Sequence, residues 1–327
     1  MIKLIKMLNS NKIYYKEKVS LEKLSYLKSK GLVDLVIFPT SIEELKTVNT
    51  LFKNKNLRYK IVGNTSNILF LDDIVYSVFL STKLFNKYNM DLDNNVLQCQ
   101  SGLMLPKIVR KLVKNNITGF EGLAGIPGTV GASVFMNAGA YGNEISDNII
   151  SVDLLNSNNE IITYKKDELN FRYRNSIFKN NYLGIIVNVT FDISKKDKQK
   201  NIMKRLLEFK HNRTIYQEYK KPNLGSLFAT KDIYSDIGRH NIFYGLLLKV
   251  VRKIIHKILK PKDNMIINFF TCKFFGLSFK NQPFSDKTMN CIINIDDIKE
   301  TLRYIEKIKQ LTNNELKLEN EIYEGKE

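Results

Sequence analysis

The least ordinary passage of this sequence is Gly119-Phe-Glu-Gly-Leu-Ala-Gly-Ile-Pro-Gly-Thr-Val-Gly-Ala-Ser-Val-Phe-Met-Asn-Ala-Gly-Ala-Tyr-Gly142. It holds seven of the sixteen glycines of the chain. Glycine is costly in backbone entropy, so such a concentration indicates positive φ angles or a backbone that lies close to something flat or charged. Rigid and permissive positions also alternate around Pro127 and Gly131, which loose linkers rarely show. We therefore interpret the passage as a ligand-contacting segment rather than an irregular loop.

A second loop with exposed backbone amides is predicted at Gly63-Asn-Thr-Ser-Asn67. A predicted strand at 58–62 enters this loop, and an apolar run at 68–71 leaves it. Small and Asx residues between two strands indicate a tight turn. Such a turn either reverses the chain or presents its amides to a phosphate group. The residues of the loop leave both readings open.

The chain has 327 residues, 43% of them hydrophobic, and a formal net charge of +18. This length suffices for large cores and suggests two domains at about 150 residues each. The charge favours an anionic partner such as nucleic acid, anionic lipid or a diphosphate-bearing substrate, although a general abundance of Lys, Asn and Ile explains much of it equally well. No recognition motif accompanies the charge, so we expect no nucleic-acid partner.

Cysteine and histidine usage argues against disulfides and metal sites. Cys99, Cys272 and Cys291 are widely spaced and form no C-x-x-C pair, and the three histidines show no ligand spacing. The first ten residues do not resemble a cleavable signal, and no apolar run reaches the roughly 18 residues of a membrane span. We expect a cytoplasmic protein with reduced thiols and no metal.

The order of predicted elements indicates two domains. Strands are predicted at 32–38, 151–155, 161–164 and 184–189, and helices at 104–115, 201–217 and 296–311. The strand at 184–189 has the alternating pattern expected of a half-buried edge strand, and Ser41-Ile-Glu-Glu44 has the spacing of a capping box. A charged connector at 195–200 predicts one domain at 1–200 and a smaller α+β domain at 201–327.

A basic amphipathic helix is predicted at residues 243–260. Its basic residues recur at three- and four-residue steps on one face: Lys249, Arg252, Lys253, His256, Lys257 and Lys260. Its apolar residues are predicted to share another face: Val250, Val251, Ile254, Ile255 and Ile258. Such a helix either packs its apolar face on its own domain or lies on an anionic membrane surface. We expect at most weak membrane-surface contact here.

The passage Gly125-Ile-Pro-Gly-Thr-Val-Gly-Ala132, with Met136-Asn-Ala-Gly-Ala-Tyr-Gly142, closely resembles the signature of the UDP-N-acetylenolpyruvoylglucosamine reductases. Further pieces follow in the order of that family: the 63–67 loop, Tyr173-Arg-Asn-Ser176, Gly225-Ser-Leu-Phe228 and Leu318-Glu-Asn-Glu-Ile322. The resemblance covers residues 30–230 well and the rest patchily. The short interval between Arg174 and Ser226 resembles the shorter type of the family, which lacks an inserted loop.

This resemblance implies an α+β fold, with an FAD-binding domain of the vanillyl-alcohol-oxidase type in two subdomains and a smaller α+β substrate-binding domain. It implies FAD and NADPH as cofactors and a nucleotide-sugar substrate. The implied reaction reduces the enolpyruvyl ether of UDP-N-acetylglucosamine to UDP-N-acetylmuramate, a step in peptidoglycan precursor synthesis. We expect the enzyme to act as a monomer.

The resemblance also implies three catalytic residues. Arg174 would hold the substrate carboxylate and spread the charge of the enolate, since a guanidinium fork suits a carboxylate. Glu321 would support it from the opposite side, with its carboxyl protonated or hydrogen-bonded by burial. Ser226 would protonate the neighbouring carbon as general acid. Taken singly, these residues could equally be a salt-bridge residue, a solvated carboxylate and a turn residue.

Binding residues follow from the same match. The cofactor residues are Gly63, Asn64, Thr65, Ser66, Asn67, Gly125, Ile126, Pro127, Gly128, Gly131 and Ala132, and the substrate residues are Tyr173, Arg174 and Lys287. The 63–67 loop has fewer glycines than the family pattern, and the basic helix replaces a short family segment. These departures leave two alternatives: a divergent paralogue acting on another nucleotide sugar for surface polysaccharide, or a flavin or sugar-nucleotide binding protein without catalysis.

Overall fold

The computed structural model describes residues 1–72, 74–180, 183–258 and 263–325. The strands are β1 (Tyr15–Ser20), β2 (Leu32–Ile37), β3 (Lys60–Val62), β4 (Ile68–Phe70), β5 (Val75–Ser81), β6 (Tyr88–Asp91), β7 (Val96–Gln100), β8 (Gly139–Ala140), β9 (Asn143–Glu144), β10 (Ile149–Leu155), β11 (Ile161–Lys165), β12 (Ile185–Asp192) and β13 (Glu321–Tyr323). The helices are α1 (Ile2–Ser10), α2 (Leu21–Leu24), α3 (Ile42–Lys55), α4 (Leu105–Lys114), α5 (Val130–Phe135), α6 (Ile177–Asn180), α7 (Gln199–Tyr216), α8 (Ile233–Arg239), α9 (Ile242–Ile258), α10 (Met265–Phe274) and α11 (Ile298–Leu311).

The first sheet has the order β1-β2-β5-β3. Strands β2, β5 and β3 are parallel, as expected when a helix connects strands of one sheet, and β1 is antiparallel to β2. Helix α3 makes the connection between β2 and β3, and its start forms only half of the predicted capping box, because the Glu44 side chain bonds Thr40 instead of the amide of the N-cap residue Ser41. The hydroxyl of Ser41 accepts from the Glu44 amide at 3.1 Å, and the Glu44 carboxylate accepts from the Thr40 amide at 2.7 Å.

The second sheet is antiparallel, with the order β11-β10-β12-β7-β6. The prediction that the strand at 184–189 lies at an edge is wrong, because β12 is the central strand and pairs with β10 and β7. Its burial does alternate as predicted. One row of its side chains is buried: Val189 and Phe191 join the core beneath α4, whereas Ile185 and Val187 join the core of the first sheet.

The C-terminal part is built around helices α8 to α11, whose buried side chains share one core with Leu27 and Leu69 of the N-terminal part. Apart from β13, its described strand pairing consists of isolated bridges such as Phe284 with Ile292. Helix α7 does not pack here: its Ile202 is buried in the core of the second sheet. Strand β13 also leaves this part and pairs in parallel with β4. A division at residue 200 stays a prediction, since α7 and β13 both pack against the first 200 residues.

Within the described ranges, no helix is long and apolar enough to cross a bilayer. The same part of the chain contains no cluster of three or more His, Cys, Asp or Glu residues that could hold a metal ion.

Candidate active site

One large cavity of about 1590 Å³ lies where the two sheets meet the C-terminal part. Its lining includes fourteen of the sixteen site residues predicted from the sequence: Gly63, Asn64, Thr65, Ser66, Asn67, Gly125, Ile126, Pro127, Gly128, Gly131, Ala132, Arg174, Ser226 and Glu321. Tyr173 and Lys287 are not part of that lining. Pockets for a single small ligand are usually about 300–1,000 Å³, so this cavity has room for more than one.

The 63–67 loop is held against the glycine-rich passage. The Asn64 side chain donates to the Pro127 carbonyl at 2.6 Å. A side chain at Gly63 would collide with Thr129, whose Oγ1 would lie 2.4 Å from the added Cβ. Thr65 adopts a φ of +57°, which costs energy for a β-branched residue. Its buried hydroxyl offsets part of this cost, since it accepts from the Tyr26 amide at 2.9 Å and donates to a backbone carbonyl.

The glycines of the second loop serve different neighbours. A Cβ on Gly125 would lie 1.2 Å from Nη1 of Arg213, and one on Gly131 would lie 2.6 Å from Cβ of Ser101. These two glycines let protein groups approach the loop. A Cβ on Gly128 would meet only Ser133 Oγ at 3.2 Å and a methyl group of Ile126 at 3.8 Å. Gly128 lines the cavity, so its missing side chain leaves room there rather than inside the protein.

Arg174 sits in a tight turn with a φ of +51°. Its Nη2 donates to the Gly139 carbonyl at 2.7 Å, and its Nε donates to Glu319 at 3.2 Å. Its guanidinium also lies 4.8 Å from the ring centre of Tyr173, whose hydroxyl donates to the same Glu319 carboxylate. Burial, and then this hydrogen bond, raise the pKa of Tyr173 to about 12. Both residues therefore orient the guanidinium: Glu319 lies in the cavity lining, and Tyr173 lies outside it.

The segment before β13 joins three parts of the site. The Asn320 side chain donates to Asn67 at 2.8 Å and to the Leu224 carbonyl at 3.1 Å. The Asn67 side chain donates back to the Glu319 carbonyl at 2.9 Å, and the Asn67 carbonyl accepts from the Glu321 amide at 2.9 Å. This network holds the 63–67 loop beside the loop that carries Ser226.

Ser226 is exposed at the cavity and follows Gly225, which has a φ of +72°. The residues after it are fixed by Asn290, whose carbonyl accepts from the Leu227 amide at 2.9 Å. The Glu321 carboxylate, at the start of β13, accepts a hydrogen bond from the ammonium group of Lys60. Lys60 also lies over the ring of Tyr323, 4.7 Å from its centre.

Lys287, predicted as a substrate contact, is engaged elsewhere. Its ammonium group donates to the Thr214 carbonyl at 2.8 Å and to the Ile215 carbonyl at 3.3 Å, at the C-terminal end of α7. A cation at this end of a helix compensates unpaired carbonyls and the helix dipole. Thr214 lines the cavity, so Lys287 supports the wall of the cavity from behind.

Comparisons with known proteins identify the family. The family model described as an FAD binding domain matches residues 33–165. The chain is 36% identical over 221 residues to UDP-N-acetylenolpyruvoylglucosamine reductase of Clostridium novyi, covering 67% of this chain and 70% of that protein. The chain belongs to the UDP-N-acetylenolpyruvoylglucosamine reductase family. The reductase of Clostridium beijerinckii is 34% identical over 229 residues, which are 68% of this chain and 74% of that protein.

The fold of this reductase family member matches a solved reductase over nearly its whole length. The structure of UDP-N-acetylenolpyruvylglucosamine reductase from Thermus caldophilus superposes with a TM-score of 0.69, covering 95% of this chain and 99% of that one at 22% identity. This likeness, together with the FAD binding domain, confirms the predicted fold class.

The residues of the cavity fit the FAD that the reductase family implies. Two buried atoms of its lining residues, Ser101 Oγ and Asn320 Oδ1, make no hydrogen bond to any described protein atom, although buried polar groups normally have partners. Gly128 leaves room for a flat group beside the backbone. Nine lysines and arginines line the cavity against three glutamates, a balance that suits a diphosphate. The 63–67 and 125–132 loops would hold the cofactor.

Several residues of the cavity were not among the predicted site residues. Lys60 and Glu319 are the partners of predicted catalytic residues, and Arg213 packs its guanidinium between Gly125 and the ring of Tyr141, 5.1 Å from the ring centre. Burial lowers the pKa of Arg213. Glu319 had a usable signal, because it belongs to the quoted Leu318-Glu-Asn-Glu-Ile322 segment. Lys60 and Arg213 are single basic residues in a chain with many, and no local pattern distinguishes them.

Proposed function

We propose that this chain reduces the enolpyruvyl ether of UDP-N-acetylglucosamine to UDP-N-acetylmuramate, with NADPH as the electron donor. One NADPH and one proton are consumed, and the carbon–carbon double bond of the enolpyruvyl group becomes the single bond of the lactyl group. The chain is a flavin-dependent oxidoreductase. The observation that carries the proposal is the single cavity in which both glycine-containing loops meet Arg174, Ser226 and Glu321.

FAD, when bound, supplies the relay that takes hydride from the nicotinamide and delivers it to the enolpyruvyl group. We assign its pyrophosphate to the amides of the 63–67 loop and its ring system to the backbone of 125–132. The lysines and arginines of the cavity would attract the diphosphate of the nucleotide sugar and the phosphates of NADPH.

Arg174 would bind the substrate carboxylate and stabilise the negative charge that develops next to it. The support for this role is the fixed position of the guanidinium, which Glu319 and the Gly139 carbonyl hold at the cavity. An arginine that is already oriented loses less side-chain entropy on binding and can hold a carboxylate in one geometry.

Ser226 would donate the proton that completes the lactyl group. Its hydroxyl lies at the cavity on a turn that Gly225 and Asn290 define. The Glu321 carboxylate holds the Lys60 ammonium in the lining of the same cavity. In our proposal, Glu321 and Lys60 act as a pair, and the positive charge of Lys60 stabilises the developing enolate.

We further propose that the enzyme works as a monomer, because one chain supplies every residue assigned here. The basic helix α9 would provide its contact with a membrane surface. It presents exposed apolar and basic side chains on its outer side.

The test follows flavin reduction and flavin reoxidation separately, with oxygen excluded. Wild-type protein should carry flavin that NADPH bleaches and that the enolpyruvyl sugar nucleotide reoxidises. Ser226→Ala should be bleached normally, while reoxidation slows by about 10²–10⁴-fold, as expected when a general acid is removed. Ser157→Ala, at an exposed serine in the β10–β11 turn, is the matched control.

The outcomes distinguish the alternatives. Normal reoxidation of Ser226→Ala would remove Ser226 from the mechanism. A wild-type flavin that NADPH reduces but the substrate does not reoxidise would indicate a different nucleotide sugar. Protein that cannot be loaded with flavin would contradict the assignment of an enzyme.

A further inference from the structure

Helices α9 and α10 expose an unusual amount of apolar surface. Ile242, Phe243 and Ile258 have 77%, 73% and 71% of their surface exposed. Apart from Tyr244, which stacks on Phe274, the exposed large apolar residues of the two helices, here called the docking face, are Ile242, Phe243, Leu246, Leu247, Val250, Ile254, Ile258, Met265, Ile266 and Phe269. Isolated exposed apolar residues are ordinary, but a continuous group of them on neighbouring helices marks an interaction surface.

The docking face is not left over from poor packing, because α9 buries a different side. Leu248 and Ile255 belong to the core of the C-terminal part. Tyr244 stacks on Phe274 of α10, with the ring centres 5.8 Å apart. The five apolar residues predicted to share one face are therefore divided: Ile255 is buried and Val251 partly buried, whereas Val250, Ile254 and Ile258 are exposed.

A row of lysines borders the docking face. Lys249, Lys253 and Lys257 are exposed and follow one another at four-residue steps, so they share one side of α9. Arg252 was predicted on this basic face, but its guanidinium points inward and pairs with Asp232 at 2.7 Å. The side chain of His256 and the whole of Lys260 lie outside the described residues. No aspartate or glutamate occurs between Asp236 and Asp263 in the sequence.

We propose that the docking face binds the surface of an anionic lipid bilayer. The inference deepens the membrane contact assigned to α9 in the proposed function and extends it to α10. An apolar strip beside a row of lysines is the composition of helices that lie in the plane of a membrane interface. The lysines would meet the lipid phosphates, while the apolar side chains enter the boundary between headgroups and acyl chains.

Charge favours a lipid surface over a second copy of this chain. A symmetric contact between two docking faces would bring two lysine rows together, and the acid-free interval offers no carboxylate to pair with them. An anionic bilayer supplies negative charge across the whole face.

The experiment measures co-sedimentation of the flavin-loaded enzyme with vesicles. Vesicles of phosphatidylglycerol and phosphatidylcholine are compared with pure phosphatidylcholine vesicles, at low and high salt. We expect binding only to the anionic vesicles and weaker binding at high salt. The triple variant Lys249→Gln, Lys253→Gln, Lys257→Gln should bind about 100-fold less tightly, from about 1 kcal/mol for each lysine near an anionic surface.

Two controls match these changes. The triple variant Lys16→Gln, Lys18→Gln, Lys23→Gln removes the same charge from an exposed region of the first sheet and should bind like wild type. Ile254→Glu should lose binding, whereas Leu92→Glu, at an exposed leucine between β6 and β7, should not. All four variants should keep wild-type turnover in vesicle-free solution, which measures the reductase function separately.

Three results would overturn the proposal. The first is an absence of wild-type binding to anionic vesicles. The second is equal binding by the two lysine variants. The third is a wild-type dimer in solution that Ile254→Glu dissociates, because the face would then join two copies of the chain. A failure of turnover with intact vesicle binding would instead count against the proposed reaction.

Discussion

Gly128→Val separates cofactor contact from protein packing. The added Cβ would meet only Ser133 Oγ at 3.2 Å and Ile126 at 3.8 Å, so the rest of the new side chain has its room in the cavity. We therefore expect the flavin-free variant and the flavin-free wild type to unfold at nearly the same urea concentration. Gly102→Ala is the contrast, because its Cβ would lie 1.7 Å from the Thr82 carbonyl oxygen and should unfold the protein.

The expected loss of FAD affinity can be followed through stability. Overpacking typically costs about 1–3 kcal/mol, and a cost of about 2 kcal/mol would weaken FAD binding roughly 30-fold. FAD at 100 times the wild-type Kd should stabilise the wild type by about 2.7 kcal/mol and the variant by only about 0.9 kcal/mol. Urea unfolding with and without FAD measures both values. Equal stabilisation of the two proteins would refute the placement of the flavin beside Gly128.

Two further predictions concern charged residues. Burial alone would raise the pKa of Glu121, but hydrogen bonds from Thr118, Arg205 and the Gly119 amide outweigh it and hold the pKa below its usual range. Arg205→Met should therefore cost about 1–2 kcal/mol of stability at pH 7, because Arg205 is partly exposed and Thr118 and the Gly119 amide still bond Glu121 in the variant. The contribution of the ionised Glu121 to stability is complete above the unfolded pKa of about 4.3 and is lost as pH falls through the lower folded pKa. The stability deficit of the variant relative to wild type should therefore shrink in acid. A deficit that stays constant in urea unfolding from pH 7 to pH 3.5 would exclude this cause. Arg174→Lys keeps the positive charge but loses the two-pronged guanidinium that can bind a carboxylate. The variant should slow flavin reoxidation by the substrate about 10–100-fold while flavin reduction by NADPH is unchanged. Equal slowing of both steps would contradict a substrate role for Arg174.

The loops of the cavity could be predicted because their signals are local. A run of glycines reports a backbone conformation or a close approach wherever the chain later folds. Gly125 and Gly131 illustrate this, since each leaves space for one specific side chain of the protein. The sequence identified these glycines as contact positions without identifying Arg213 or Ser101 as their neighbours. Of the three glycines between residues 125 and 132, Gly128 alone leaves its side-chain space to the cavity.

The position of β12 shows a limit of strand patterns. Alternation reports that one face of a strand is buried and the other is not, and this is a property of the two faces of a sheet. A central strand with one covered face alternates just as an edge strand does. The two neighbours of β12, β10 and β7, are set by chain topology, which the residues at 184–189 do not encode.

The basic helix shows a similar limit for helical patterns. The predicted basic face of α9 combined residues at three-residue and at four-residue steps. Only the four-residue series, Lys249, Lys253 and Lys257, is exposed. Arg252, three residues after Lys249, points inward and pairs with Asp232. A sequence pattern locates the helix, but its neighbours decide which residues face out.

The charge partners in the cavity depend on the end of the chain folding back onto its beginning. Lys60 and Glu321 are separated by 261 positions, and Arg174 and Glu319 by 145. Each pair forms only because β13 aligns with β4, while Asn320 connects Asn67 to Leu224. The same short segment therefore positions the guanidinium of Arg174, the ammonium of Lys60 and the loop that carries Ser226. Motifs that are far apart in the sequence become one site because a few polar side chains near residue 320 each bind to a different part of the protein.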